Sequence, residues 1–445
     1  MPQRSIYSQY FRYTIPTVAA MLVNGLYQVI DGIFIGHYVG AAGLAAINVS
    51  WALTGSITGL GLLVGVGTGS LTSIRKGETR FQAARETLAT GMMLLIALAV
   101  VIGLGLFLWG DTVLSWQTQD QDVLKLAQGY VDVLTFTPLF ILGSIAIPFL
   151  MRNDESPQLA TIIMMVGGAL NILFDYLFIG VFDLKLFGAA LATSIAQATV
   201  VLLGIWYFIS PAARVRLTKH DWHFRWQELS NIIMIGLSSF FMYLYWGVMV
   251  AFHNTQFAQY GGTSVVAAYA ILGYLVTFYY LTVEGIANGM QPLASFHFGA
   301  KHPHIIVKLL KLALSLALGL GITIVIAVNI WPDRLLEIFS DSREVINAGR
   351  QGIRWHLAAL WLDGYLVVVA AFYQSTNQGK KAMMITLGNI IAQPPLLMLL
   401  PMYLSLTGVW LAFPVSNIIL AVIVTFMLMK DVAKLNSSSD ASGDI

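Results

Sequence analysis

The chain alternates long apolar runs with short polar breaks. About twelve runs of roughly 20–27 residues, at 10–36, 44–70, 86–110, 124–150, 157–181, 188–210, 229–254, 264–293, 304–331, 346–373, 382–404 and 409–430, are each long enough to cross a hydrocarbon core as a helix. Inside a bilayer every backbone N–H and C=O must be satisfied, and runs this long and continuous exclude barrel strands. The pattern therefore predicts an all-α membrane protein of about twelve transmembrane helices.

Composition agrees: 57% of residues are hydrophobic, only 10% are charged, and mean hydropathy is +0.75. There is no cysteine, so disulfides and thiolate metal sites are excluded. No basic face suggests nucleic acid, no cofactor motif is present, and the lipid bilayer is the expected partner, with the chain working as a monomer. The first apolar run lacks a cleavage signal and reads as a retained span.

With Met1 in the cytoplasm and alternating spans, 18 basic residues fall inside, among them Arg75, Lys76, Arg214, Lys301 and Lys381, and 6 fall outside. The positive-inside rule then places both termini in the cytoplasm, as expected of a multi-pass protein of a bacterial inner membrane. The polar tail from Asn436 is expected to be disordered.

The halves resemble each other. S-I-R-K-G at Ser73–Gly77 is matched by S-F-H-F-G at Ser295–Gly299, a shift of 222 residues. Val39–Ala46 pairs with Tyr260–Ala268, and Phe187–Ala192 with Thr407–Ala412, at nearly the same shift. This predicts two pseudo-symmetric six-helix bundles of like orientation: an N-lobe (1–210), a cytoplasmic linker (211–227), a C-lobe (228–435) and the tail (436–445). Secondary transporters are commonly built from such repeats, with the substrate site near the midplane.

Asp31 and Asp175 lie inside apolar runs, where an ionisable group is costly and usually faces a wet cavity or an ion path. Asp31 is about 21 residues into the first span and Asp175 about 18 into the fifth, so at ~1.5 Å per residue both reach the outer third. Thr193, near the outer start of the sixth span, reaches a similar depth. Asn171 shares a helix face with Asp175, and Asn24 and Gln28 share one with Asp31. Tyr130 and Thr135 add hydroxyls from the fourth span. At the repeat shift Asp31 meets Phe252 or His253, Asn171 falls near Pro394, Thr193 opposite Phe413, and Asp175 has no acidic counterpart. The site is thus expected in the first half alone.

Two readings of the cluster stand. Oxygen-only ligands suit a hard cation such as Na⁺ at Asp31, Asn171, Asp175 and Thr193. A pair of carboxylates in low dielectric equally suits a proton relay. In a packed bundle the aspartates are alternatively structural. Pro16 is either a kink inside the first helix or a residue of its first turn. In the second half, Asp363 lies mid-span and is a candidate for the substrate cavity. Glu284 is a gate, packing or cavity candidate, and His253 and His356 read as hydrogen-bonded bundle residues. Aromatic residues such as Tyr245, Trp246 and Tyr280 face lipid, the core or an adaptable cavity that attracts organic cations.

Twelve spans in two six-helix repeats, V-I-D-G-I-F-I-G around Asp31, and N-I-L-F-D ending at Asp175 resemble the multidrug and toxic compound extrusion (MATE) family, most nearly its DinF-type bacterial branch. The resemblance covers nearly the whole chain. It implies an exporter of amphipathic or cationic drug-like compounds, driven by H⁺ or Na⁺ and working by alternating access. It further implies that Asp31, Asn171 and Asp175 line the cation site with Thr193 and Tyr130, and that protonation of Asp31 is coupled to bending of the first helix. A flippase for lipid-linked or other endogenous metabolites is the alternative, against which the absence of a mid-span basic cluster weighs. An intramembrane aspartyl protease is excluded by the missing Y-D and G-x-G-D motifs.

Overall fold

Helices form wherever the apolar runs predict them, and most end where proline or a left-handed residue stops them. In the computed structural model, which describes residues 5–440, α1 (Ile6–Tyr38), α2 (Ala41–Gly77) and α3 (Phe81–Gln117) are the first three spans. The fourth is a broken pair, α4 (Gln121–Phe136) and α5 (Pro138–Asn153), bent by 66°. Pro138 explains the bend, because a residue preceding proline is pushed out of the helical region, and Thr137 takes φ −119° and ψ 18°. The fifth span is α6 (Pro157–Asp175) continued by a π-helical turn (Tyr176–Val181), and the sixth is α7 (Lys185–Ile209).

The second half runs longer between breaks. Here α8 (Trp226–Gly299, 74 residues) contains two spans joined at Gly262. After it come α9 (Pro303–Ile330) and a short α10 (Pro332–Glu337). The tenth span is α11 (Arg343–Trp355), a 3-10 turn and α12 (Leu360–Ser375), and α13 (Gly379–Asp440) holds two spans joined at Ser405. Among the described residues this makes twelve spans, as the hydrophobic pattern predicts. The polar stretch from Asn436, expected as tail, is helical as far as Asp440, and 441–445 lie outside the described residues.

Backbone conformation carries the repeat more sharply than sequence does. Of the nine described residues with positive φ, eight form four pairs: Gly40 with Gly262, Thr79 with Lys301, Glu155 with Asn377, and Asp183 with Ser405. Each pair is separated by 222 residues. Left-handed backbone is costly for any residue but glycine, so its recurrence at one spacing marks the same turns built twice.

The chain packs as two units, and their borders lie within helices. One unit is Ile15–Tyr243; the other joins the described residues before Ile15 to those from Leu244 onward. By packing, the division falls within α8, and the first turns of α1 belong with the unit from Leu244 onward. Two close crossings explain this. A Cβ on Gly67 would lie 2.1 Å from the Ile232 carbonyl oxygen, and one on Gly236 would lie 1.9 Å from that of Leu63, so only glycine lets α8 ride on α2. In the other unit Gly289, the repeat equivalent of Gly67, meets Thr14, the equivalent of Gly236. Each half lends the start of its first span to the other's unit.

Polar ties hold the connecting loop to the first unit. The buried Asp154 carboxylate accepts from the Arg214 and Val215 amides at 2.7 and 2.8 Å and from the Tyr207 hydroxyl at 2.7 Å. The motif at the end of α2 takes part: Ser73 donates to Asn153 Oδ1 (2.7 Å), and Lys76 reaches Glu155 (3.1 Å) and the Asn153 carbonyl (3.1 Å). Arg75 pairs with Glu228 at 2.9 Å. The segment read as a linker (211–227) is thus fastened at Arg214 and Val215.

Candidate functional site

The candidate site lies in the first unit, where α1, α4, α6 and α7 bring polar groups together. Asp175 closes α6 and is fully buried, and Asn171, one turn earlier, is 2% exposed. Glycines at 167 and 168 make room here: a Cβ on Gly168 would lie 3.3 Å from the Tyr27 ring of α1, and one on Gly167 2.6 Å from Val200 of α7. Directly after Asp175 the backbone widens into the π turn. Such turns rotate the following side chains off the helical register and are frequent at functional sites.

Asn171 Nδ2 donates to Thr193 Oγ1 at 3.2 Å, joining α6 to α7 as the spacing suggests. The bend in the fourth span is tied alongside by a bond between the Thr137 and Ser194 hydroxyls (3.1 Å). The charges of Asp31 and Asp175 are close enough to act on each other, and both act on the Tyr130 hydroxyl. Asp31, Asp175, Asn171, Thr193 and Tyr130 thus share one neighbourhood.

The unpartnered atoms define its chemistry. Asp31 Oδ1, both Asp175 oxygens, Asn171 Oδ1 and Gln197 Oε1 are buried and lack a hydrogen-bond donor. All are acceptors. Buried polar atoms are nearly always bonded, and the four unsatisfied acceptors on Asp31, Asp175 and Asn171 fit a proton or a hard cation and disfavour an anion; Gln197 lies one turn beyond Thr193 on α7. Among the described residues no group of three or more His, Cys, Asp or Glu has metal-holding geometry.

Other predicted residues stand apart. On α1 Gln28 is exposed and meets the Tyr27 hydroxyl, and Asn24 is half-buried. Pro16 lies inside α1, more than two turns from its start, so the kink position holds rather than the first-turn one. Thr161 of α6 donates to the Pro16 carbonyl at 2.8 Å, tying the proline to the helix that carries Asp175. Asp363 and Glu284 belong to the other unit.

Gln197 and Tyr27 were missed by sequence reasoning. Gln197 follows Thr193 by four residues, the same spacing as Asn171 to Asp175, and that periodicity is the signal that finds it. The backbone fixes the shift at 222. Of the two counterparts expected for Asp31 the shift selects His253, and Asn171 meets Gln393 rather than its neighbour Pro394. Gln393 Nε2 lies 3.5 Å from His253 Nε2, and Tyr245 donates to Gln393 Oε1 at 2.6 Å. The second half keeps a polar pair there but no acid.

Twelve spans in two repeats, the first unit holding a buried acceptor cluster, are an architecture common among secondary transporters. The MatE family model matches residues 16–177 and again 235–399, and the chain belongs to the MatE family, whose members are transporters and not enzymes. The chain is 25% identical over 446 residues to the multidrug export protein MepA of Staphylococcus aureus (strain N315), covering 98% of this chain and 97% of MepA. Its fold matches a MOP superfamily transporter from Pyrococcus furiosus at a TM-score of 0.91 and 21% identity, covering 98% and 97% of the two chains. A MATE crystal structure in a bent conformation matches at 0.91 and 21%, covering 98% of each chain.

Proposed function

We propose that the chain is a proton-coupled multidrug efflux antiporter of a bacterial inner membrane, with both termini cytoplasmic, exporting amphipathic or cationic organic compounds by alternating access. The observation that carries this reading is the set of buried, donor-less oxygens on Asp31, Asp175, Asn171 and Gln197. Likeness to a protein named for multidrug export supports the substrate class.

In the proposed cycle the outward-open protein takes a proton at the Asp31/Asp175 pair. Two neighbouring carboxylates in low dielectric resist sharing two full charges, so one proton relieves both repulsion and desolvation. In this reading the Asn171–Thr193 bond fixes the amide and leaves its oxygen for the cation, and the Tyr130 hydroxyl, within reach of both charges, donates to the occupied site. Neutralising Asp31 lets α1 bend at Pro16, whose missing amide proton weakens the helix there and whose carbonyl is already engaged by Thr161. The bend shrinks the cavity of the first unit and expels the bound compound. Na⁺ in place of H⁺ uses the same oxygens.

The test is drug efflux from proteoliposomes under an imposed pH gradient and, separately, an imposed Na⁺ gradient. Efflux driven by the pH gradient alone is expected. Efflux indifferent to both overturns the coupling, and efflux driven by Na⁺ alone overturns the choice of ion.

A further inference from the structure

The sixth span ends at Ile209 and the seventh begins at Trp226, so the strap between them, 210–225, starts and finishes at one membrane surface. Its first part alternates. Ala213, Val215 and Leu217 are buried in the core of the first unit, whereas Arg214 and Arg216 are exposed. Successive side chains of an extended segment take opposite sides, so burying the three apolar residues turns both guanidinium groups outward. Farther along, the buried Asp221 accepts from the Thr218 amide and hydroxyl at 2.8 and 2.7 Å, and Arg225 pairs with Glu86 at 3.0 Å. With the Asp154 ties, these bonds fix the strap to the first unit along its length.

The fixed strap shows an aromatic surface where a loop in water would be polar. Trp222 is 44% exposed, Phe224 39% and Trp226 77%, and the Phe224 and Trp226 rings meet edge-on at 4.9 Å. An exposed apolar patch rimmed by polar groups marks an interaction surface. Aromatic residues settle at the level of lipid headgroups, and basic residues beside them attract anionic lipid. The strap also has cations to offer. Arg216 Nε donates to the Ile209 carbonyl at 2.8 Å, which holds its guanidinium at the end of α7. Among the described residues, Arg214 and Arg225 have carboxylate partners but Arg216 and Lys219 make no ion pair.

The internal repeat does not impose this chemistry. At the 222-residue shift, Arg214 corresponds to Asn436, Arg216 to Ser438 and Lys219 to Ala441. The basic and aromatic residues belong to the strap alone.

We propose that the strap is a docking surface for anionic phospholipid. Arg216 and Lys219 hold the phosphate, and the Trp222, Phe224 and Trp226 rings sit among the headgroups and upper acyl chains. Because the ties of the strap go to the first unit, the bound lipid fastens that unit to its leaflet. The orientation proposed above makes this the cytoplasmic leaflet. Binding needs neither gradient nor drug and both faces of a nanodisc carry the same lipid, so the outcome is independent of the export reading.

The chain has no cysteine, so a single nitroxide label can be placed at any introduced one. In nanodiscs of phosphatidylcholine and phosphatidylglycerol, a label at Phe224→Cys of the full-length chain is compared with labels at Leu202→Cys, exposed on α7, and Ser342→Cys, in an exposed turn. The Phe224 label is expected to collide with oxygen as the Leu202 label does and to be shielded from a water-soluble nickel relaxant. Collision with nickel at the rate of the Ser342 label overturns the proposal. Native mass spectrometry then measures how far the chain retains phosphatidylglycerol in preference to phosphatidylcholine. Each charge contributes roughly fivefold, so the Arg216→Gln, Lys219→Gln double variant should lose about tenfold or more of that preference. Its thermal midpoint in phosphatidylcholine alone should stay near that of the parent, since both side chains are exposed. An unchanged preference overturns the proposal, as does displacement of the lipid by an equal concentration of inorganic phosphate.

Discussion

Asp31 and His253 occupy one position of the internal repeat, 222 residues apart on the first and seventh spans, and carry opposite chemistry. Asp31 has a buried oxygen without a donor, whereas His253 is bonded through both ring nitrogens, to the Met249 carbonyl at 2.9 Å and to Gln393 at 3.5 Å. One lobe holds an unsatisfied acid where the other holds a satisfied base. The predictions below follow from that asymmetry and from the scaffold that repeats around it.

Replacing either acid of the cluster should stop coupled export without unfolding the protein. Asp31→Asn and Asp175→Asn are nearly isosteric and remove a buried charge, so membrane levels should hold while drug resistance in a hypersensitive host falls to that of the empty host. Full resistance in either variant contradicts the assignment.

Gln197→Leu and Thr193→Val should have graded effects. Each removes one ligand or one positioning hydrogen bond, worth about 0.5–1.5 kcal/mol, or roughly 2- to 13-fold in cation affinity. Initial rates of efflux against external pH measure this, and a Gln197→Leu profile that superimposes on that of the parent removes Gln197 from the site.

How much of this the sequence discloses depends on the signal. The twelve spans and the aspartates are legible because hydrophobic run length and an acid in lipid are strong, local signals. Asn171 and Thr193 are legible from depth and spacing, and they bond to each other as that spacing implies. The π turn after Asp175 is not, since no local motif in Tyr176–Val181 marks it. Nor is the exchange of span ends between units. It rests on Gly67, Gly236 and Gly289, three of 40 glycines, whose role appears only when the facing carbonyls and Thr14 are in view. The His253–Gln393 pair escaped because apolar sequence alignment left the shift uncertain by a residue.

The tether of the connecting loop is energetic and not incidental. Asp154→Ala leaves the Arg214 and Val215 amides and the Tyr207 hydroxyl without their acceptor and strands Lys76 beside one carboxylate fewer. A loss of about 2–4 kcal/mol is expected, read as a lowered thermal unfolding midpoint in detergent. An unchanged midpoint means that the loop is free.

The paired turns predict paired stabilities. Asp183 and Ser405 both have φ 50°, a backbone region that glycine enters without strain. Asp183→Gly and Ser405→Gly should each stabilise by up to about 1 kcal/mol, and by similar amounts. Opposite signs argue against equivalent turns.

Ion-driven efflux from proteoliposomes containing the Asp31→Asn, Asp175→Asn double variant, compared with the parent chain under the same imposed pH gradient, tests the coupling site most directly. The parent should export drug in proportion to the gradient, and the double variant should show no gradient-dependent flux. Gradient-driven export by the double variant at the parent's rate would place the coupling site elsewhere.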